Sequence, residues 1–229
     1  LIGGLGFGAW RYRNELQDLY LRYSTQSVSY APPSRAPTPE ETASAVRHLN
    51  AALNIIEWAL GEHHKPRNTA DEIRAILEKL NRATEHLLKA RELDQSAEAA
   101  MPSQQFPLTQ NEIAGTILFL GASCERALAD RATNGFEGRT HLKRAIDALI
   151  RAVAFKPEPE YFYWMAHVYA LLGRKNEALA AARRGLDRDL DHIPCQQILN
   201  AIPSMTELWP YPAYYEIKIA WLGIVAVTF

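Results

Sequence analysis

The sequence predicts an all-α chain built of antiparallel helix hairpins, and three observations predict it. Thr-x-x-Glu boxes at Thr38–Glu41, Thr69–Glu72 and Thr109–Glu112 each stand directly before a run of apolar residues spaced three and four apart. In such a box the Thr hydroxyl accepts from an unpaired first-turn N–H, and the Glu reaches back to the cap. Second, the stretch Glu160–Asp191 reads as two helices of similar length joined by a tight turn at Gly173. Third, long alternating runs of Val, Ile and Thr are missing, while Ala, Leu, Glu and Arg dominate the middle of the chain.

Taken in order, residues 1–24 read as an N-terminal helix with an apolar start. Leu16, Leu19, Tyr20 and Tyr23 share one face of its amphipathic continuation. Residues 25–38, with Pro32, Pro33 and Pro37 among Ser, Thr and Ala, form an extended linker. A helical domain follows over 39–202. Its first helix, about 39–60, starts at Pro39, the residue type favoured at a first helical position, and carries Val46, Leu49, Leu53, Ile56 and Leu60 on one stripe. Gly61 stands where a helix end favours a left-handed residue, and Lys65-Pro66-Arg67-Asn68 makes the turn. The next helix, 70–94, carries Ile73, Ile76, Leu77, Leu80, Ala83, Leu87 and Ala90 on one stripe, and the short connection predicts that it packs antiparallel on the first. A loop over 95–108 with Pro102 and Pro107 ends the pair. A helix over 110–131 follows, then a loop marked by Asn134-Gly135 and Gly138. Helices at 139–155, 159–172 and 175–190 come next, and a short one at 193–201. Residues 203–229 hold an aromatic segment and a C-terminal apolar helix, opened by a fourth box at Ser204–Glu207.

Within 160–191, Phe162, Met165, Ala166, Tyr169 and Leu172 fall on one face of the first helix. Ala178, Leu179, Ala182, Leu186 and Leu190 fall on one face of the second. This alternation of large, small and aromatic positions, with Gly173 at the turn and Ala178, Ala182 and Gly185 at small positions, resembles a tetratricopeptide repeat. Leu190 stands where that family usually has Pro. Similar second helices are Ala83–Asp94 and Ala145–Pro157, and Ile117–Cys124 is a partial first helix. The resemblance covers roughly half the chain. It implies an α-solenoid, in which hairpins stack and bury a shared core, and a chain that binds other proteins and does no chemistry. In chaperone-binding members, Lys and Asn on the inner face clamp a terminal carboxylate; Tyr163 and His167 occupy those positions here, which argues against such a clamp. An aromatic inner surface with Tyr163 and Trp164 suits an apolar or Pro-containing ligand, the alternative being that both rings belong to the core.

The ends are apolar. Ile217–Phe229 spans about 20 Å as a helix, short of the roughly 30 Å of a bilayer core. It follows the aromatic run Trp209-Pro-Tyr211-Pro-Ala-Tyr214-Tyr215, a composition suited to a membrane interface. Gly4 and Gly8 make a small-xxx-small spacing in the opening apolar run, which lets a second helix approach closely; a frayed terminus is the alternative. Gly4, Gly8, Trp209, Tyr211 and Trp221 are therefore the candidate membrane or helix contacts. Arg11 and Arg13 favour a cytoplasm-like side for the folded domain.

Little points to chemistry. The formal net charge of −1 over 229 residues carries no nucleic-acid footprint. The glycines of the opening run follow no strand and precede no Lys-Ser or Lys-Thr, so they are no phosphate loop. His63-His64 beside Glu62 is a solvated polar turn, and no His-x-x-x-His spacing offers a metal site. Cys124 and Cys195 read as buried free thiols, and a Cys195–His192 nucleophile pair lacks an orienting third group. Arg174, Lys175, Arg183, Arg184 and Arg188 make the turn and outer face of the repeat basic, which fits a solvated face, an acidic peptide or an anionic lipid surface. The expected function is a non-catalytic scaffold or assembly subunit of a membrane-associated protein complex, without cofactor, metal or small-molecule substrate. Its candidate partner-binding residues are Tyr163, Trp164, His167, Arg174 and Arg184. A soluble adaptor for a peptide segment, or a helical enzyme, are the alternatives.

Overall fold

The computed structural model describes residues 36–63, 69–101 and 106–204. Expectations for 1–24, for most of the linker, for the Ser204–Glu207 box and for Gly4, Gly8, Trp209, Tyr211 and Trp221 lie outside the described residues. The chain divides into two units, Leu1–Thr38 and Pro39–Phe229. The second holds seven helices among the described residues: α1 (Pro39–His63), α2 (Ala70–Leu93), α3 (Gln110–Ala129), α4 (Gly135–Phe155), α5 (Pro159–Leu171), α6 (Lys175–Leu186) and α7 (Ile193–Ser204). No strand occurs among those residues, and an isolated antiparallel bridge joins Ala99 to Leu108.

The starts follow from local chemistry. At α2 and α3 both halves of the capping box form: Thr69 accepts from Glu72 N–H and Thr109 from Glu112 N–H, while each Glu accepts from its cap backbone. The α4 helix starts four residues earlier than the Asn134-Gly135 loop signal suggested, because Asn134 is itself a cap. Its Oδ1 accepts from Glu137 N–H at 2.9 Å, and Glu137 accepts back from the Thr133 backbone and hydroxyl.

The ends show two further differences. Helix α1 runs through Gly61 to His63, and Gly61 keeps a right-handed conformation in open surroundings, where glycine is permitted but not required. Helix α6 stops at Leu186, leaving Leu190 in a turn and 78% exposed, not on the buried stripe. There Asp189 Oδ1 accepts from Asp191 N–H at 3.1 Å, a side-chain bond that competes with helix continuation. Gly173 is the positive-φ glycine of the described residues, at φ 75°. Gly173 N–H donates to Ala170 and Arg174 N–H to Tyr169, which together close α5 with a Schellman turn.

Each pair packs antiparallel. Thr42 bonds Asp94, His48 meets His86 and Trp58 carries Lys79, so residue numbers rise along α1 as they fall along α2. Glu125 with His141 sets the same sense for α3 and α4, and Phe162 with Gly185 for α5 and α6. Helix α1 also packs on α3, and α5 on α7. Phe119 of α3 stacks on Tyr161 of α5. The odd-numbered helices thus form a row, with each even-numbered helix between its two neighbours.

The apolar residues fall into two clusters. One is formed by α1, α2 and a face of α3 that runs from Ile113 to Leu128, with Leu49, Leu53, Ile56, Ile73 and Ile113 at its centre. The other runs from Ala122 and Ala129 of α3 through α4, α5 and α6 to Ile198 and Ile202 of α7. Because α3 serves both, it is buried on several faces and its sequence is apolar almost throughout. The 95–108 loop contributes Ala97, Ala99 and Met101 to the first cluster. It is pinned by Asp94, which accepts from Thr42 Oγ1 at 2.7 Å and from Ser96, and by Gln110, whose Nε2 donates to Asp94 O at 2.6 Å. The Ser96 and Thr42 hydrogen bonds hold the Asp94 carboxyl below the ordinary carboxylate range.

Candidate aromatic surface on the first-helix row

Pro159 opens α5 and sets the phase of the helix. Glu160, Tyr163, Trp164 and His167 then stand at successive positions of one stripe, while Phe162, Met165, Ala166 and Tyr169 fill the second core cluster. The Tyr163 and Trp164 rings meet edge to face at 5.7 Å, and each faces the His167 ring, at 6.4 and 5.7 Å. Phe119 stacks on Tyr161 at 4.7 Å and meets Trp164 at 6.3 Å. His192, just before α7, completes the cluster against Tyr163 at 6.4 Å. Helices α3 and α5 and the residue before α7 therefore share one band of rings, with Tyr163, Trp164 and Phe119 half-buried.

Charges border this band. Glu160 accepts from Trp164 Nε1 at 2.7 Å and lies 3.4 Å from His192 Nε2. The Arg126 guanidinium stands 5.2 Å from the Trp164 ring centre and pairs with Asp130 at 3.2 Å. His167 is buried beside the rings. Burial, with a smaller effect of Arg126, pushes its imidazole down to about 3, so the ring is neutral at pH 7. Burial likewise raises the Tyr163 phenol.

Tyr163, Trp164 and His167 are thus brought together. Arg174 and Arg184 stand elsewhere. Arg174 bonds Glu177 at 2.9 and 3.0 Å and lies over the Tyr169 ring at 4.8 Å, and Arg184 is exposed on α6. The spacing of Glu160, Tyr163, Trp164 and His167 was legible as a helical stripe. The additions of Phe119, Arg126 and His192 carry no sequence signal, since they depend on how α3 and α7 pack against α5.

Both cysteines are free and buried. Burial holds the Cys195 thiol at about 11 and the Cys124 thiol at about 12, and Cys195 Sγ faces Pro159 O at 3.8 Å. A thiol held that high supplies almost no thiolate at neutral pH. Among the described residues no group of His, Cys, Asp and Glu is placed to hold a metal ion, and no helix is long and apolar enough to cross a membrane. Comparison with family models, curated proteins and solved structures gave no match to the chain.

Proposed function

We propose that the chain is a non-catalytic, tetratricopeptide-like scaffold, an assembly subunit of a membrane-associated complex that holds partner proteins on the row α3–α5–α7. The observation that carries this reading is the band of Phe119, Tyr161, Tyr163 and Trp164 on successive helices of one row. Half-buried rings locked by their neighbours present large amphipathic area at little cost in side-chain entropy, which is what protein-binding hot spots use. The solenoid reading draws support from the order of packing, with odd helices in a row and even helices between them. It also draws support from Ala178, Ala182 and Gly185, all buried at small-residue positions. The membrane setting rests on the apolar composition of the two ends.

The test is site-specific photo-crosslinking in the native cell, with p-benzoylphenylalanine replacing Trp164 in one variant and Arg82, on the exposed side of α2, in another. A discrete protein adduct is expected from position 164 and not from 82. The same adducts from both positions, or none from 164, would overturn the reading in favour of rings that serve the core alone.

A further inference from the structure

The described helices differ in charge by position in the array. Helices α1, α3 and α5 carry seven acidic against two basic side chains, whereas α4 and α6 carry three acidic against seven basic. The chain as a whole is near neutrality, at −1, so the two sides offset each other. The basic excess is not a general property of the even helices. On α2 the exposed acids Asp71, Glu72, Glu78, Glu85 and Glu92 balance the bases, and Arg74 and Arg82 pair with Asp71 and Glu78 along the helix.

On α4, Arg139, Lys143, Arg144 and Arg151 are exposed with Asp147 between them. On α6, Arg183 and Arg184 are exposed. Both helices pack on α5. The bases do not converge on a cleft, as a site for a single phosphate or carboxylate would require; they are spread along these two helices. Phe136, in the first turn of α4, is 83% exposed and falls on the same stripe as Lys143, Asp147 and Arg151. A broad basic face with an exposed ring at its edge matches an anionic bilayer surface. Headgroup phosphates and carboxylates are spread in a plane, and an aromatic ring enters the interface beside them.

We infer that the exposed face of α4 and α6 docks on anionic lipid headgroups, with Phe136 entering the interface and the aromatic row α3–α5–α7 left for protein partners. This deepens the membrane-associated reading by naming the face and the lipid class.

The experiment is sedimentation of the full chain with phosphatidylcholine vesicles, with and without phosphatidylserine. The variants are Lys143→Glu/Arg144→Glu/Arg183→Glu/Arg184→Glu, Phe136→Ala, and the α2 control Arg74→Glu/Arg82→Glu. Binding is expected to need phosphatidylserine and to weaken with salt. It should fall on the order of a hundredfold or more in the quadruple variant, at about fivefold per charge removed, and stay within about tenfold of wild type in the α2 control. Should the quadruple variant fail to give the wild-type helical circular dichroism, Lys143→Gln/Arg144→Gln replaces it, with a loss of about twentyfold expected. Equal binding to both vesicle types, unmoved by these variants, overturns the docking face while leaving membrane attachment through the apolar ends. Failure to bind any vesicle overturns both. Tighter binding to polyglutamate or duplex DNA than to phosphatidylserine vesicles overturns the lipid assignment in favour of another polyanion.

Discussion

A methyl group built on Gly185 lies 2.5 Å from Cys195 Sγ, which makes these two residues a steric pair across the α6–α7 contact. Phe162 Cβ, at 3.2 Å, closes the same space from α5, so three helices meet where α6 has no side chain. Gly185→Ala gains about 1 kcal/mol of helix propensity and loses roughly 1–3 kcal/mol to overpacking, and the second effect wins because Cys195 is fully buried. The variant is expected to unfold at lower urea concentration. Cys195→Ala removes the sulfur, so Gly185→Ala/Cys195→Ala should be more stable than the sum of the single changes by at least about 0.5 kcal/mol. Additive effects would show that the helices do not meet there.

Ala182 is fully buried where α6 crosses its neighbours, as is Ala178 one turn earlier. Ala182→Leu forces three more heavy atoms into this crossing and is expected to cost roughly 1–3 kcal/mol. Thermal unfolding checks it, and an unchanged midpoint would mean that the crossing has room that these positions do not indicate.

Gly173 holds φ at 75°, a region where a Cβ clashes with the following carbonyl. Gly173→Ala should lose about 1–2 kcal/mol, and Gly173→Asn less, because Asn tolerates the left-handed region. Equal stability of both variants and the wild type would rule out the Schellman closure of α5.

Thr109 accepts from Glu112 N–H at 3.3 Å and its own N–H donates to Glu112 Oε2 at 2.9 Å, which fixes the start of the helix shared by both core clusters. Thr109→Ala is expected to destabilise by about 1 kcal/mol in chemical denaturation. A variant as stable as wild type would place the determinant of that start elsewhere.

Burial pushes His167 down to about 3 in the folded chain, against the ordinary 6.5 of a solvated imidazole in the unfolded chain. The unfolded state therefore binds an extra proton between these values. Stability is level above pH 6.5 and falls by about 1.4 kcal/mol per pH unit below it. His48, also held low by burial and by the neighbouring His86, adds a loss of the same sign. The difference between wild type and His167→Gln isolates His167. Urea midpoints measured from pH 8 to pH 5 should fall more steeply for wild type than for the variant. Parallel curves would mean that the ring is protonated within the fold.

Helix content was legible because each signal acts locally. A Thr hydroxyl and a Glu three residues on choose a helix start whatever lies beyond them, and Gly173 closes α5 through bonds to its own last turn. Asn134 carried the same information in a less familiar pairing, with Glu137 three residues on. The stop of α6 was not legible, since the stripe through Leu190 continues in sequence and only the turn that brings α7 back to α5 breaks it.

By itself, then, the sequence determined that the middle of this chain is helical, where most helices begin, and which residues of 160–191 are small because neighbouring helices touch there. Tertiary structure decided what no local spacing encodes. It set α3 between two cores, joined Phe119 and His192 to the Tyr163–Trp164 rings, and buried His167 beside them. The physical reason is distance along the chain. Caps and turns are settled by bonds spanning three to five residues, whereas a surface shared by separate helices depends on packing between residues more than forty apart, and only the complete fold selects it.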